Sequence, residues 1–304
     1  MKDIKTKAPP ADLGQLAATY TAYLDVSARS VGSYSGSLRQ FVAWTSAQGI
    51  DRPTRADVIA YREELRRRCK PATVQSYITA LRLFFRWTES EGIYPNIADH
   101  IKGARLDPGH KRDNLTADQV RRVLASIDTD STIGKRDYSI IALMVTGGLR
   151  DIEISRANLD DLQTVSGRPA LYVQGKGREE RTDYVFIVHE VESALRAYIE
   201  ATRARHGNAL FVRTSNNGNG ERLSARSVSA IVKTRLRAAG LDSPRLTAHS
   251  LRHTAITLSL AGGVPLRDVQ AFARHKSITT TQIYAHDLDR AKNASETTIA
   301  ASIF

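Results

Sequence analysis

Apolar positions along this chain fall into two regimes. From about residue 12 to 98 they recur at helical spacing: Leu13, Leu16, Tyr20, Tyr23 and Leu24, then Tyr34, Leu38, Phe41, Val42 and Trp44. Thr54 with Asp57 three residues on predicts a capped start for a helix through Leu65. Pro71 stands where a first helical turn accepts proline, ahead of Val74, Tyr77, Ile78, Leu81, Phe84, Phe85 and Trp87. Four helices are predicted, with the aromatic side chains as their shared core.

The periodicity then stops. Residues 101–114, I-K-G-A-R-L-D-P-G-H-K-R-D-N, carry glycine, proline and basic side chains without an apolar repeat, which predicts an interdomain linker. Beyond it the pattern is mixed. Thr116 and Gln119 predict a second capped start, and helical patterns cover about 117–127 and 134–147. Gly147-Gly148 interrupts, and a short helix follows through Ile154. Strands are expected at about 170–174, 184–188 and 209–212, with G-K-G-R-E-E-R as a hairpin tip between the first two. Helical patterns return at about 190–205, 225–239, 249–261, 265–274 and from 279 onward. The expected fold is mainly α with a small antiparallel β-sheet in the second domain. The expected organisation is a helical domain over 1–100, the linker, a mixed domain over 115–288 and a tail helix over 289–304. In that tail Ile299, Ile303 and Phe304 have i, i+4, i+5 spacing behind a polar stretch; docking on a neighbouring protomer is expected, with docking on the chain's own domain as the alternative.

Charge changes the picture. Lys plus Arg number 44 against 32 for Asp plus Glu, a net +12 in 304 residues. Residues 1–113 hold 18 basic and 12 acidic side chains and the remainder 26 and 20, so each part has the same surplus. Two basic domains that both touch a polyanion are charged in this way; a basic tail is not. Arg39, Arg66, Arg67, Lys70, Arg82, Arg86, Lys102, Arg105, Lys111 and Arg112 are candidate phosphate contacts. Cys69 is the only cysteine, which excludes an intrachain disulfide and fits a reducing compartment. No apolar run approaches a membrane span, and M-K-D-I-K-T-K-A-P-P lacks the apolar stretch of a secretory signal. A cytoplasmic protein without membrane contact is expected.

The candidate chemistry is concentrated near the C-terminus. H-S-L-R-H places His249 and Arg252 three residues apart, on one helical face, and R-H-K-S-I-T-T-T-Q-I-Y adds His275 and Tyr284. Upstream, Arg150 follows a glycine-ended helix and Lys176 lies between two glycines. Attack of a phenol on a phosphodiester needs these groups. Two guanidiniums match the charge on non-bridging oxygens, a base removes the phenol's proton, and a lysine protonates the leaving oxygen. With that set no metal or other cofactor is called for.

T-G-G-L-R-D-I-E, V-Q-G-K-G-R, H-S-L-R-H-T and R-H-K-S-I-T-T-T-Q-I-Y-A-H together resemble the signature boxes of the tyrosine recombinase (phage integrase) family. The resemblance spans about 115–290, and the helical domain before it fits that family's core-binding domain. It implies a site-specific DNA recombinase acting through a 3′-phosphotyrosine, assembled as a homotetramer, or with a second recombinase as a heterotetramer, on double-stranded recombination sites. It further implies that Arg150 and Arg252 grip the scissile phosphate and that Lys176 protonates the leaving 5′ oxygen. By the same resemblance His249 assists proton transfer, His275 braces the phosphate and Tyr284 is the nucleophile. Glu153 supports the site, and His253 is a supporting residue turned off the face of Arg252. Two uses fit, resolution of replicon dimers and movement of a mobile element. A type IB topoisomerase and a catalytically silent DNA-binding regulator are the alternatives. Two departures stand out: Gly147-Gly148 where many members have one glycine, and Ala273-Arg274-His275 where Leu-Gly-His is common.

Overall fold

The computed structural model describes residues 12–105, 113–175, 180–202, 207–214, 220–292 and 295–304, with the backbone alone for 286–292 and 295–298. The chain divides into two units, residues 1–110 and 111–304.

In the first unit, side chains at the helix starts satisfy amides that the helices themselves cannot. Asp12 accepts the Gly14 amide at 2.9 Å and opens α1 (Leu13–Tyr23). Ser27 opens α2 (Ala28–Ala47), accepting from the Ser30 amide. Thr54 and Asp57 form the expected capping box of α3 (Arg55–Arg68), the Thr54 amide donating to Asp57 at 2.7 Å. Pro71 is the first residue of α4 (Pro71–Ser90), where its missing N–H leaves nothing unsatisfied. Phe41, Tyr61, Phe84 and Phe85 are each at most 1% exposed and pack edge to face, so these aromatics form core and offer no surface for stacking on bases. Residues 101–104, read as the start of the linker, lie on this unit. Ile101 joins its core, and Arg62 and Arg66 donate to the carbonyls of Lys102 and Gly103, both at 3.0 Å.

The second unit runs α5 (Ala117–Ala125), α6 (Thr132–Thr146), α7 (Asp151–Arg156), β1 (Leu162–Val165), β2 (Arg168–Val173), β3 (Asp183–Phe186), α8 (His189–Thr202), α9 (Ala225–Ala238), α10 (Ala248–Ala261), α11 (Leu266–Ala273), α12 (Ile278–Lys292) and α13 (Ser295–Ile303). Thr116 and Gln119 cap α5 reciprocally, at 2.9 and 3.1 Å. α6 threads the core: every residue from Ser139 to Val145 is buried, and the helix packs against α8 and α10. Its buried Ile140, Ile141, Leu143 and Met144 contribute about 1.5–3 kcal/mol each by leaving water.

The sheet is a small antiparallel meander in the order β1-β2-β3, with Leu171 of β2 facing Leu162 on one side and Val185 on the other. The fold is therefore mainly helical with a minor sheet. Two details differ from the pattern-based expectation. β1 has no alternating apolar face and was not predicted. Residues 209–212 are buried but join no ladder, being held by isolated bridges from Ala209 to Asn158 and from Val212 to Arg222. Among the described residues no helix is long and apolar enough to cross a membrane.

Candidate active site

Two turns and two helices of the second unit converge on the site. The first turn closes α6. The Leu149 amide reaches back to the Met144 carbonyl at 3.1 Å, and Gly148 takes φ +58°, the left-handed conformation such a six-to-one closure requires. A Cβ on Gly148 would stand 3.0 Å from the Phe272 ring, so this turn lies directly against α11. It delivers Arg150 to the N-cap of α7. There Glu153 closes a capping box: the Arg150 amide donates to Oε2 at 2.9 Å and its guanidinium to Oε1 at 2.7 Å.

α10 supplies the next groups. Arg252 is 2% exposed and donates to the carbonyls of Gly148, at 2.5 Å, and of Ala273. Among the described residues these two carbonyls are its acceptors, against five N–H donors. Burial, and then the guanidiniums of Arg150 and Arg274, push its pKa down to about 9, so it is still a cation at neutral pH. His249 and His253, four residues apart, meet edge to face at 4.6 Å.

The turn after α11 carries Arg274 and His275. Arg274 adopts φ +51° and ψ +44° and sends its guanidinium inward to Glu153 Oε2 at 3.1 Å. Burial alone would raise the Glu153 carboxyl, but Arg274, the Arg150 amide, the Arg150 guanidinium and Arg252 outweigh it and hold it below the usual carboxylate range. His275 Nδ1 shares a hydrogen bond with Thr281 Oγ1 at 2.9 Å. Burial first, then Arg252, Arg150, Arg274 and His253, lower the His275 pKa to about 4, leaving a neutral ring. Tyr284, on α12, packs against Ile256, Val269 and Ala273. Its hydroxyl is hydrogen-bonded to His253 Nδ1, with ring centres 5.1 Å apart. The His275 ring lies nearly parallel to the phenol, 6.4 Å away.

The structure thus gathers Arg150, Glu153, His249, Arg252, His253, His275 and Tyr284. Lys176, and the basic residues Lys111 and Arg112, lie outside the described residues. On the first unit Arg39, Arg67, Lys70, Arg86, Lys102 and Arg105 are exposed and Arg82 is half-buried. Arg66, also exposed, is already engaged with Glu63 at 3.1 Å and with the Gly103 carbonyl, which makes it a poorer candidate for a phosphate.

Two features escaped the sequence. His253, a supporting residue off the face of Arg252 by helical spacing, meets the phenol directly; its i, i+4 relation to His249 is the available signal. Arg274 stands out in the sequence only as a departure from Leu-Gly-His, and nothing in its spacing points to Glu153, 121 residues upstream.

Comparison with known proteins follows the same lines. Residues 113–291 match the phage integrase family, and residues 15–93 match the phage integrase N-terminal SAM-like domain. Tyrosine recombinase XerC of Caldanaerobacter subterraneus subsp. tengcongensis is 35% identical over 177 residues, 57% of this chain and 46% of that protein. The chain spans about half the length of the curated relatives it matches. Among solved structures, the XerH site-specific recombinase bound to its difH substrate superposes with a TM-score of 0.73 at 19% identity, covering 93% of this chain and 94% of that one. The Tn1549 transposon integrase in complex with transposon right end DNA gives 0.71 at 18% identity, covering 94% and 99%.

Proposed function

Since the chain belongs to the phage integrase family, we propose that it is a site-specific recombinase that cuts and rejoins double-stranded DNA through Tyr284. One observation carries the reading: the Tyr284 hydroxyl meets an imidazole, His253, inside a cluster that also holds Arg150, Arg252 and His275. The name of the XerC relative and the equal basic surplus of the two parts of the chain support it.

In this reading the Tyr284 oxygen attacks the phosphorus while its proton passes to His253, with His249 packed behind that ring. Arg252 offers its free N–H groups, and Arg150 its outward edge, to the two non-bridging oxygens, where negative charge grows in the transition state. Neutral His275 adds one N–H without adding charge. The bond to the 5′ oxygen breaks as that oxygen takes a proton, for which Lys176 is the proposed donor, and a 3′-phosphotyrosine remains. A 5′ hydroxyl from another strand then attacks this ester and releases Tyr284, so no external energy source is consumed. Exchange between two sites needs four protomers on DNA, and we take a tetramer acting in the cytoplasm as the working assembly.

The test is a nicked suicide duplex built on the sequence that the full chain selects from a random pool. The protein is expected to form a covalent adduct with it, and Tyr284→Phe to bind equally but form none. Binding by both without an adduct from either overturns the reading.

A further inference from the structure

Arg274 breaks two local rules together. It is the last residue of the α11 turn and sits at φ +51°, a conformation in which a side chain other than glycine is strained. Its side chain is only 6% exposed, although a guanidinium belongs in water unless it is well paired. One nitrogen, Nε, is buried with no hydrogen-bond partner among the described residues. A residue kept under such conditions gives something back elsewhere.

Its contacts show where. Nη2 donates to Glu153 Oε2 at 3.1 Å and to the Gly148 carbonyl at 3.1 Å; Nη1 donates to the Phe272 carbonyl at 2.8 Å and reaches that of Gly147 at 3.4 Å. Two of these acceptors are shared with other arginines of the site. Glu153 also holds the Arg150 guanidinium, and the Gly148 carbonyl also accepts from Arg252. Arg274 therefore joins the turn that carries His275 to the turn that carries Arg150.

The division of Glu153 is the consequential part. Arg150 takes Oε1 with its guanidinium, while Oε2 is occupied by Arg274 and the Arg150 amide. Without Arg274 the carboxylate is free to close a two-pronged fork on Arg150, the geometry that guanidinium and carboxylate prefer. That fork would turn Arg150 away from a phosphate. We propose that Arg274 is a positioning residue for the strand-cleavage step: it splits the Glu153 carboxylate so that Arg150 stays directed at the scissile phosphate, and it fixes the Gly148 carbonyl against which Arg252 is set. This inference rests on the recombinase reading given above.

Arg274→Gly tests it with the turn preserved, since glycine adopts this backbone without strain. Arg274→Lys keeps the charge but cannot serve a carboxylate and three carbonyls at once. Adduct formation on the nicked duplex is followed in a single turnover at saturating full-length protein, beside a binding titration. Both variants are expected to cleave about ten to a hundred times more slowly, as misplaced catalytic groups do, with DNA affinity unchanged within about twofold. Guanidinium ion added to Arg274→Gly should restore part of the rate. Glu153→Gln in the Arg274→Gly background should cost less than it does alone, because both changes act on one joint. Cleavage by Arg274→Gly at the unaltered rate overturns the inference. So does a slow variant that also loses affinity and gains nothing from guanidinium, which marks a purely structural role. If the unaltered protein forms no adduct, the recombinase reading itself falls, and the inference falls with it.

Discussion

His275 is half-buried beside three guanidiniums, and this fixes how it titrates. Its pKa is lowered to about 4 by burial first and by Arg252, Arg150, Arg274 and His253 after it, from an ordinary value of about 6.5. Between about pH 6.5 and about pH 4 the unfolded chain binds a proton here that the folded chain refuses, so folding stability from this site falls as the pH drops. Glu153 is held below the usual carboxylate range, so the stability it contributes starts to be lost only as the pH falls to its ordinary value of 4.5, which leaves the range above about pH 5 to His275. His275→Asn should remove that dependence. Thermal melts from about pH 7 to about pH 5 are expected to fall more for the unaltered protein than for the variant, and equal falls would contradict the assigned neutral ring. The same crowding of cations explains what the residue pattern could reveal. His249, Arg252, His275 and Tyr284 stand in short, ordered boxes, so they were legible. The contact of His253 with the phenol depends on how α12 lies across α10, which no spacing within either helix contains.

At the scale of elements, the turn between α6 and α7 bears the greatest constraint. Gly148 combines φ +58° with a Phe272 ring 3.0 Å from where a Cβ would sit, and its carbonyl serves both Arg252 and Arg274. Gly148→Ala should therefore lose about 1–2 kcal/mol from the left-handed backbone alone. The displaced α11 should add to that, and DNA cleavage should drop alongside. Urea denaturation measures the first effect; a variant as stable as the parent would show that the turn can relax. The two-glycine departure noted in the sequence thus has a physical cause: Gly147 ends the helix, and Gly148 lets two layers meet. Helix starts were legible for a similar reason. Capping at Thr54 and Thr116 is local chemistry, complete within four residues. β1 was not legible, because L-Q-T-V on the edge of a three-stranded meander buries no alternating face. A-L-F-V at 209–212 misled in the opposite sense: its apolar run reflects burial in the core, and burial alone does not make a ladder.

At the scale of the whole molecule, the end of the described chain poses the remaining question. Ile299, Ile303 and Phe304 on and beside α13 are 56%, 67% and 103% exposed, an apolar group that the second unit does not cover. Covering such side chains stabilises an assembly by about 1.5–3 kcal/mol each, so together they are enough to change an association constant by orders of magnitude. In the proposed assembly of several protomers, each copy that docks this helix on a neighbour would gain such a contact. Removing residues 295–304 should therefore leave affinity for one half-site nearly unchanged. Pairing of two full sites, read as the slow-migrating species in a native gel, should weaken by more than about tenfold. The triple change of Ile299, Ile303 and Phe304 to serine should reproduce this without shortening the chain. Equal loss of single-site binding and of pairing would place the helix on its own protomer and remove it from assembly.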